Sequence, residues 1–114
     1  MTQENEWWKP TANHVWRVYF SLVRKQDADP DAFHAFTPSE RTIYNACNAV
    51  RRNLPLPGDA NILRMFYTTP RGMEIHNVED YSLRHSVPVA IIWKTVRYAN
   101  RAVMTELGLL DRKS

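Results

Sequence analysis

The strongest constraint on how this chain can fold is the break Ser86-Val87-Pro88 between two helical stretches. Proline has no N–H to give and its ring restricts the residue before it, so a helix cannot run through this point. A proline is well placed, however, in the first turn of a new helix. After Pro88 no further Pro or Gly occurs until Gly108. The spacing therefore predicts a long helix of about five turns at 3.6 residues per turn. Upstream, Asn77 is a good N-cap, with Asp80 three residues later to reach back to its N–H. That pair predicts a short helix over 78–85.

The long helix has two faces. Ile92, Val96, Ala99, Val103 and Leu107 recur at steps of three and four and should face a core. Lys94, Arg97 and Arg101 fall on the opposite side, with Ala90 and Tyr98 beside them. From Tyr81 to Thr105 there is no Asp or Glu, so the stretch offers phosphate an uncompensated positive ridge. Two helices, a three-residue turn and a basic outer ridge are the components of a helix-turn-helix. The plainer reading is two packed helices with a solvated basic face.

The rest of the chain reads as helices separated by proline. Residues Met1 to Lys9 form a polar lead-in ending in Trp7 and Trp8, which should fold back on the domain or meet a partner. Pro10 and Thr11 start a first helix whose apolar face is Val15, Trp16, Tyr19, Phe20 and Val23. Lys25 to Phe36 is a polar connection centred on Pro30, with Phe33 and Phe36 as tethers. Thr37, Pro38 and Glu40 mark the next start: a Thr cap, Pro at the first position and Glu completing a capping box. That helix runs to about Asn53, with Ile43, Tyr44, Cys47, Val50 and Leu54 on one face and Arg41, Arg51 and Arg52 on the other. Residues 54–58 are a stiff linker, and Asp59 is placed to cap a third helix carrying Ile62, Leu63, Met65 and Phe66. Residues 69–72 close it and open a loop to Asn77. Gly108 sits where a C-terminal cap belongs, Leu109 or Leu110 can fold back on the last turn, and Asp111 to Ser114 should fray. The expectation is an all-α fold of about five helices with a C-terminal helix-turn-helix. It forms one domain over 1–114, with an aromatic N-terminal helix and connection over 1–36 and the core over 37–110.

Composition bounds the function. A 114-residue chain with 44% hydrophobic residues has enough apolar material for one core. Its net charge of +3 and pI of about 9.2 permit nucleic-acid binding without demanding it. The one cysteine, Cys47, excludes an intramolecular disulfide and fits a reducing, cytoplasmic setting. The N-terminus lacks the basic and apolar regions of a signal peptide, and no apolar run is long enough to cross a bilayer. His14, His34, His76 and His85 are scattered without metal-ligand spacing, the three glycines form no phosphate loop, and Cys47 lies on an apolar helix face. A chain of this kind is expected to be no enzyme and to need neither cofactor nor metal.

Residues from about Ile62 to Val103 resemble the C-terminal, promoter-reading helix-turn-helix domain of bacterial sigma factors. They are also similar to the related domains of small phage transcriptional regulators of the RinA and ArpU type. Ile62-Leu63-Arg64-Met65 resembles the V-L-R-M-type start of that family's preceding helix, and residues 77–81 resemble its T-L-E-E-I helix opening. Val87-Pro88 stands in place of the family's V-S turn, and Ala99 and Arg101 match small and basic positions farther along. Residues 39–57 look like the helix that precedes the motif in the phage regulators, so the likeness covers roughly the last two thirds of the chain. No other sigma-factor region is recognisable in it. Where the family carries polar or charged residues after the turn, often R-E-R, this chain has Val89, Ala90 and Ile91, which can meet thymine methyl groups but cannot make bidentate contacts to guanine.

The resemblance implies a DNA-binding transcriptional regulator, phage or prophage encoded, reading double-stranded DNA with the helix 88–107. Lys94, Arg97 and Arg101 would contact phosphates or base edges. Ala90, Ile91 and Thr95 would lie near base edges, flanked by Tyr98, and Arg84 and His85 would approach the backbone. Homodimerisation, or contact with RNA polymerase or a host protein, fits such a role, and no membrane is expected. The alternative is a protein-interaction module in which Val89, Ile91 and Trp93, together with Trp7 and Trp8, form one adhesive patch.

Overall fold

The computed structural model describes residues 7–110, so the lead-in Met1 to Glu6 and the tail expected to fray at 111–114 lie outside the described residues. The fold is all-α. In chain order the elements are α1 (Lys9–Ala28), a short 3-10 helix (Ala32–Ala35), α2 (Pro38–Arg52), α3 (Asp59–Thr68), α4 (Glu74–His85) and α5 (Val89–Glu106). Among the described residues no helix is long and apolar enough to cross a membrane.

Proline sets the boundaries. Asp29, Thr37 and Thr69 each precede a proline and each has extended backbone, as steric conflict with the proline ring requires. Thr37 accepts the Glu40 N–H at 3.1 Å while Glu40 accepts the Thr37 N–H at 2.9 Å, which completes the expected capping box. At the break before α5, Ser86 adopts the left-handed conformation with φ 55° and donates its N–H to Ser82 O. Val87 N–H donates to the same carbonyl at 3.2 Å. Pro88 then precedes the helix, its carbonyl accepting the Ile92 N–H at 3.2 Å. At the far end Gly108, with φ 78°, donates to Thr105 O, and Leu109 N–H reaches Met104 O at 2.8 Å. This is the paired 5→2 and 6→1 closure of a Schellman cap. Leu110 packs against the core and Leu109 stays exposed.

Three boundaries differ from those expected from the sequence. First, α4 begins at Glu74, one turn before the expected start, so Asn77 lies inside the helix and caps nothing. The cause is Glu74 itself. One carboxylate oxygen accepts the Gly72 N–H at 2.7 Å and the other accepts from Arg17 of α1 at 2.6 Å. Second, Asp59 is the first residue of α3 rather than its cap, a position taken by Gly58. Its Oδ2 accepts the Leu56 N–H at 3.0 Å and closes the turn before the helix. Third, Lys25 to Ala28 belong to α1 rather than to the connection, because nothing stops the helix before Pro30.

Helix α5 is the central pillar, packing against α1, α2, α3 and α4. Its stripe Ile92, Val96, Ala99 and Val103 is buried, with Leu107 partly so, and Met104 adds to it. From α1, Trp16 lies fully buried against this stripe. Tyr19 meets its ring edge-on, and Phe20 and Tyr67 stack on it at 6.0 and 6.2 Å. Trp8 folds back completely, whereas Trp7 is 54% exposed. Phe33 and Phe36 tether the connection to Tyr44 as expected.

Two substitutions test this assembly by chemical denaturation. Met104→Ala should cost about 2–5 kcal/mol, the usual range for emptying a packed core site. Thr37→Ala should cost about 1 kcal/mol through loss of the cap. A Met104→Ala effect no larger than that of Thr37→Ala would contradict the central position of α5.

Candidate functional site

What α5 does not bury forms one continuous surface. Ala90, Lys94 and Arg97 are exposed and Arg101 is half-buried. Steps of three and four align them along the outer side of the helix. Trp93 flanks this row on one side, and Ile91 and Tyr98 flank it on the other, at 37% and 49% exposure. Val89, also exposed, stands at the start of the helix. Ala90, Ile91, Lys94, Arg97, Tyr98 and Arg101, grouped on one face by their spacing, remain together in the fold.

Thr95 is the exception: expected near base edges, it is buried instead. Its Oγ1 lies 3.0 Å from Ile91 O and 3.4 Å from Asp59 Oδ1. One hydroxyl proton is shared between two inward acceptors, so the side chain serves the α3–α5 contact. Arg84 and His85 close α4 beside the turn. Arg84 forms an exposed i,i+4 pair with Asp80 at 3.0 Å, a contact weak enough in water to be exchanged for another anion. The His85 ring lies over Tyr81 with centroids 4.2 Å apart. The adhesive patch that the sequence suggested does not include Trp8, which is in the core. Trp93 is tilted into the protein, edge-to-face with Phe66 at 5.4 Å.

Two clefts run along the flanks of the row. On the Ile91 side a cleft of about 300 Å³ is bounded by Pro55, Leu56, Ile91 and Tyr98, with Asp59 and Thr95 beneath and Lys94 at its edge. On the Trp93 side a cleft of about 330 Å³ lies between α1, α3 and α5. Its walls include Lys9, Arg97, Phe66 and Trp93, and its polar floor is Asn13 and Asn100. Tyr67 Oη lies 2.6 Å from the side-chain oxygens of both asparagines. Sequence reasoning missed this polar cluster because its three members lie on three helices. The one available signal was Asn100, a polar residue directly after Ala99 in the buried stripe.

Burial pushes three groups, Tyr19, Cys47 and Tyr67, toward their protonated forms. Desolvation raises the Cys47 thiol against the opposing influence of Arg51. Desolvation likewise raises the Tyr67 phenol, opposed by its hydrogen bond to Asn100 and by Arg17. Tyr19 is raised by burial too, although its hydroxyl accepts from Arg51 at 2.7 Å. The Glu74 carboxyl moves the other way, lowered first by its own backbone N–H and then by Gly72 and Arg17. Comparison with protein-family models, curated proteins and solved structures gave no match.

The raised groups set the alkaline limit of stability. In the unfolded chain a thiol loses its proton near pH 8.5 and a phenol near pH 10, about their free values. The folded state keeps those protons longer, so it binds more of them and stability falls as pH rises past the unfolded values. Urea midpoints measured at about pH 7, 9 and 10.5 should decline. Each such group contributes up to about 1.4 kcal/mol per pH unit. Cys47→Ala should remove the part of the decline below about pH 10. A midpoint flat across the range contradicts the burial of these groups.

Proposed function

We propose that this chain is a DNA-binding transcriptional regulator that docks double-stranded DNA on the outer face of α5. The observation that carries the reading is the row Lys94, Arg97 and Arg101 on that face, within a segment, Tyr81 to Thr105, that has no acidic residue. Cations aligned on one helix face suit the phosphate backbone, and neutralising phosphates releases condensed counterions. The first turn of the helix presents Val89, Ala90 and Ile91, all exposed. Side chains of this size and polarity meet thymine methyl groups in the major groove, which favours A·T-rich sequence. Arg84 and His85, exposed at the end of α4, suit contact with a flanking phosphate. The resemblance of residues 62–103 to sigma-type and RinA- or ArpU-type domains points the same way and suggests a phage or prophage origin.

A second reading, a protein-interaction module, has its own support. The cleft bounded by Pro55, Leu56, Ile91 and Tyr98 is apolar, and Leu83 at the end of α4 is 84% exposed. Apolar surface left open beside a helix end suits a partner protein.

Salt separates the two. Fluorescence anisotropy with A·T-rich and G·C-rich duplexes should show binding that weakens steeply between about 50 and 200 mM salt. Replacing Lys94, Arg97 and Arg101 together by Ala should abolish it. Replacing any one phosphate-binding cation by Ala should reduce the salt slope by about 0.9. No binding at low salt, or binding indifferent to salt and to the triple change, would overturn the DNA reading.

A further inference from the structure

Helix α4 commits little of its surface to the core. Only Val78 of its residues is buried. Ile75, Glu79 and Leu83, all exposed, follow one another at steps of four and so share one face. Leu83, Ile75 and Leu56, at 84, 68 and 59% exposure, are the three most exposed large apolar side chains among the described residues. Two of them stand on this face of α4. The third, Leu56, walls the cleft of about 300 Å³ together with Pro55, Ile91 and Tyr98. The polar groups beneath that cleft are already engaged: Asp59 accepts the Leu56 N–H, and Thr95 bonds to Ile91 O and Asp59. The cleft therefore offers apolar walls, and the outer face of α4 offers apolar side chains. Contiguous open surface of this kind marks a docking site.

Charge decides the occupant. Glu79, between Ile75 and Leu83, makes no hydrogen bond or ion pair with any described residue, and neither does Lys94 at the edge of the cleft. One surface is apolar with a free anion, the other is apolar with a free cation, and every copy of the chain carries both. We propose that the protein self-associates, with α4 of one copy lying in the cleft of a second. Leu83 enters between Leu56, Ile91 and Tyr98, Glu79 meets Lys94, and Ile75 extends the apolar contact about two turns back along the helix. An amphipathic helix laid in an apolar groove is a recurring mode of docking, and the ion pair fixes register more than affinity. Both surfaces adjoin the first half of α5: α4 ends at the break before it, and Ile91 walls the cleft. Two copies related by a two-fold axis thus make the contact twice and close on themselves. This contact rests on the protein-interaction reading of the cleft and is independent of DNA docking. Because Lys94 serves both surfaces, a docked α4 withdraws it from phosphate.

Sedimentation equilibrium of the intact chain, without DNA, tests this. The 13.4 kDa chain should approach twice its mass, with a Kd below about 100 μM. Leu83→Glu and Leu56→Glu, both at exposed positions, should keep the wild-type melting temperature and each weaken association at least about tenfold. Mixed in equal amounts, these two variants should form a heterodimer tighter than either makes with itself, because one supplies an intact α4 and the other an intact cleft. Glu79→Lys and Lys94→Glu should each weaken the dimer, and the two changes together should recover it. A chain still monomeric at about 1 mM overturns the second copy as the occupant. So does a dimer indifferent to both leucine changes, a pair of leucine variants that stay apart on mixing, or a charge swap without recovery. Duplex titration of the triple Lys94, Arg97 and Arg101 variant reports on DNA docking separately.

Discussion

The indole N–H of Trp16 donates to the Ala99 carbonyl at 3.2 Å, in the buried centre of the molecule, joining α1 to α5 across 83 residues of sequence. A tryptophan can be buried whole only where its one donor finds an acceptor. Here that acceptor is a backbone carbonyl in the middle of α5, a group that accepts a second hydrogen bond without leaving its helix. The contact sets the height and rotation of α5 against α1. Around it stack Tyr19, Phe20 and Tyr67, so the aromatic side of α1 and the apolar stripe of α5 form one unit that the other helices enclose.

Fixing one face of α5 decides the other. Because Ile92, Val96, Ala99 and Val103 are committed inward, the side of the helix opposite them must face out, and that side carries the basic residues. The break at Ser86-Val87-Pro88 ends α4 beside the first turn of α5. Its cost is one non-glycine residue in the left-handed region, a conformation that serine adopts at a penalty on the order of 1 kcal/mol. The same constraint creates the flanking clefts: a cylindrical helix packed against several others leaves grooves along its sides, here floored by Asn13 and Asn100 on one flank and bordered by Leu56 and Tyr98 on the other.

Much of this fold was legible in the sequence because it is written in local chemistry. The capping box at Thr37 and Glu40, the proline breaks, the burial of Cys47 and the two faces of α5 each follow from a few neighbouring residues. What was not legible depends on partners distant in the chain. Asn77 is a good cap by its own chemistry, yet α4 starts at Glu74 because Arg17, on another helix, holds that carboxylate. Asp59 has a cap's side chain but uses it on Leu56. Thr95 sits between exposed and buried positions on the helical wheel, and the approach of α3 decides which it becomes. Trp7 and Trp8 are adjacent and alike, yet one is exposed and the other buried. The trio Asn13, Tyr67 and Asn100 is hinted at in the sequence only by Asn100 beside the buried stripe, because its members lie on three helices.

If the outer face of α5, fixed by its buried side, is a DNA surface, duplex binding must register on that face first. The most direct measurement is a backbone amide NMR titration of the labelled protein with an A·T-rich duplex. Shifts should concentrate at Val89, Ala90, Lys94, Arg97 and Tyr98, with a weaker set at Arg84 and His85 and none in α2. Shifts absent at saturating duplex, or confined to residues away from α5, would contradict a DNA-binding role for this helix.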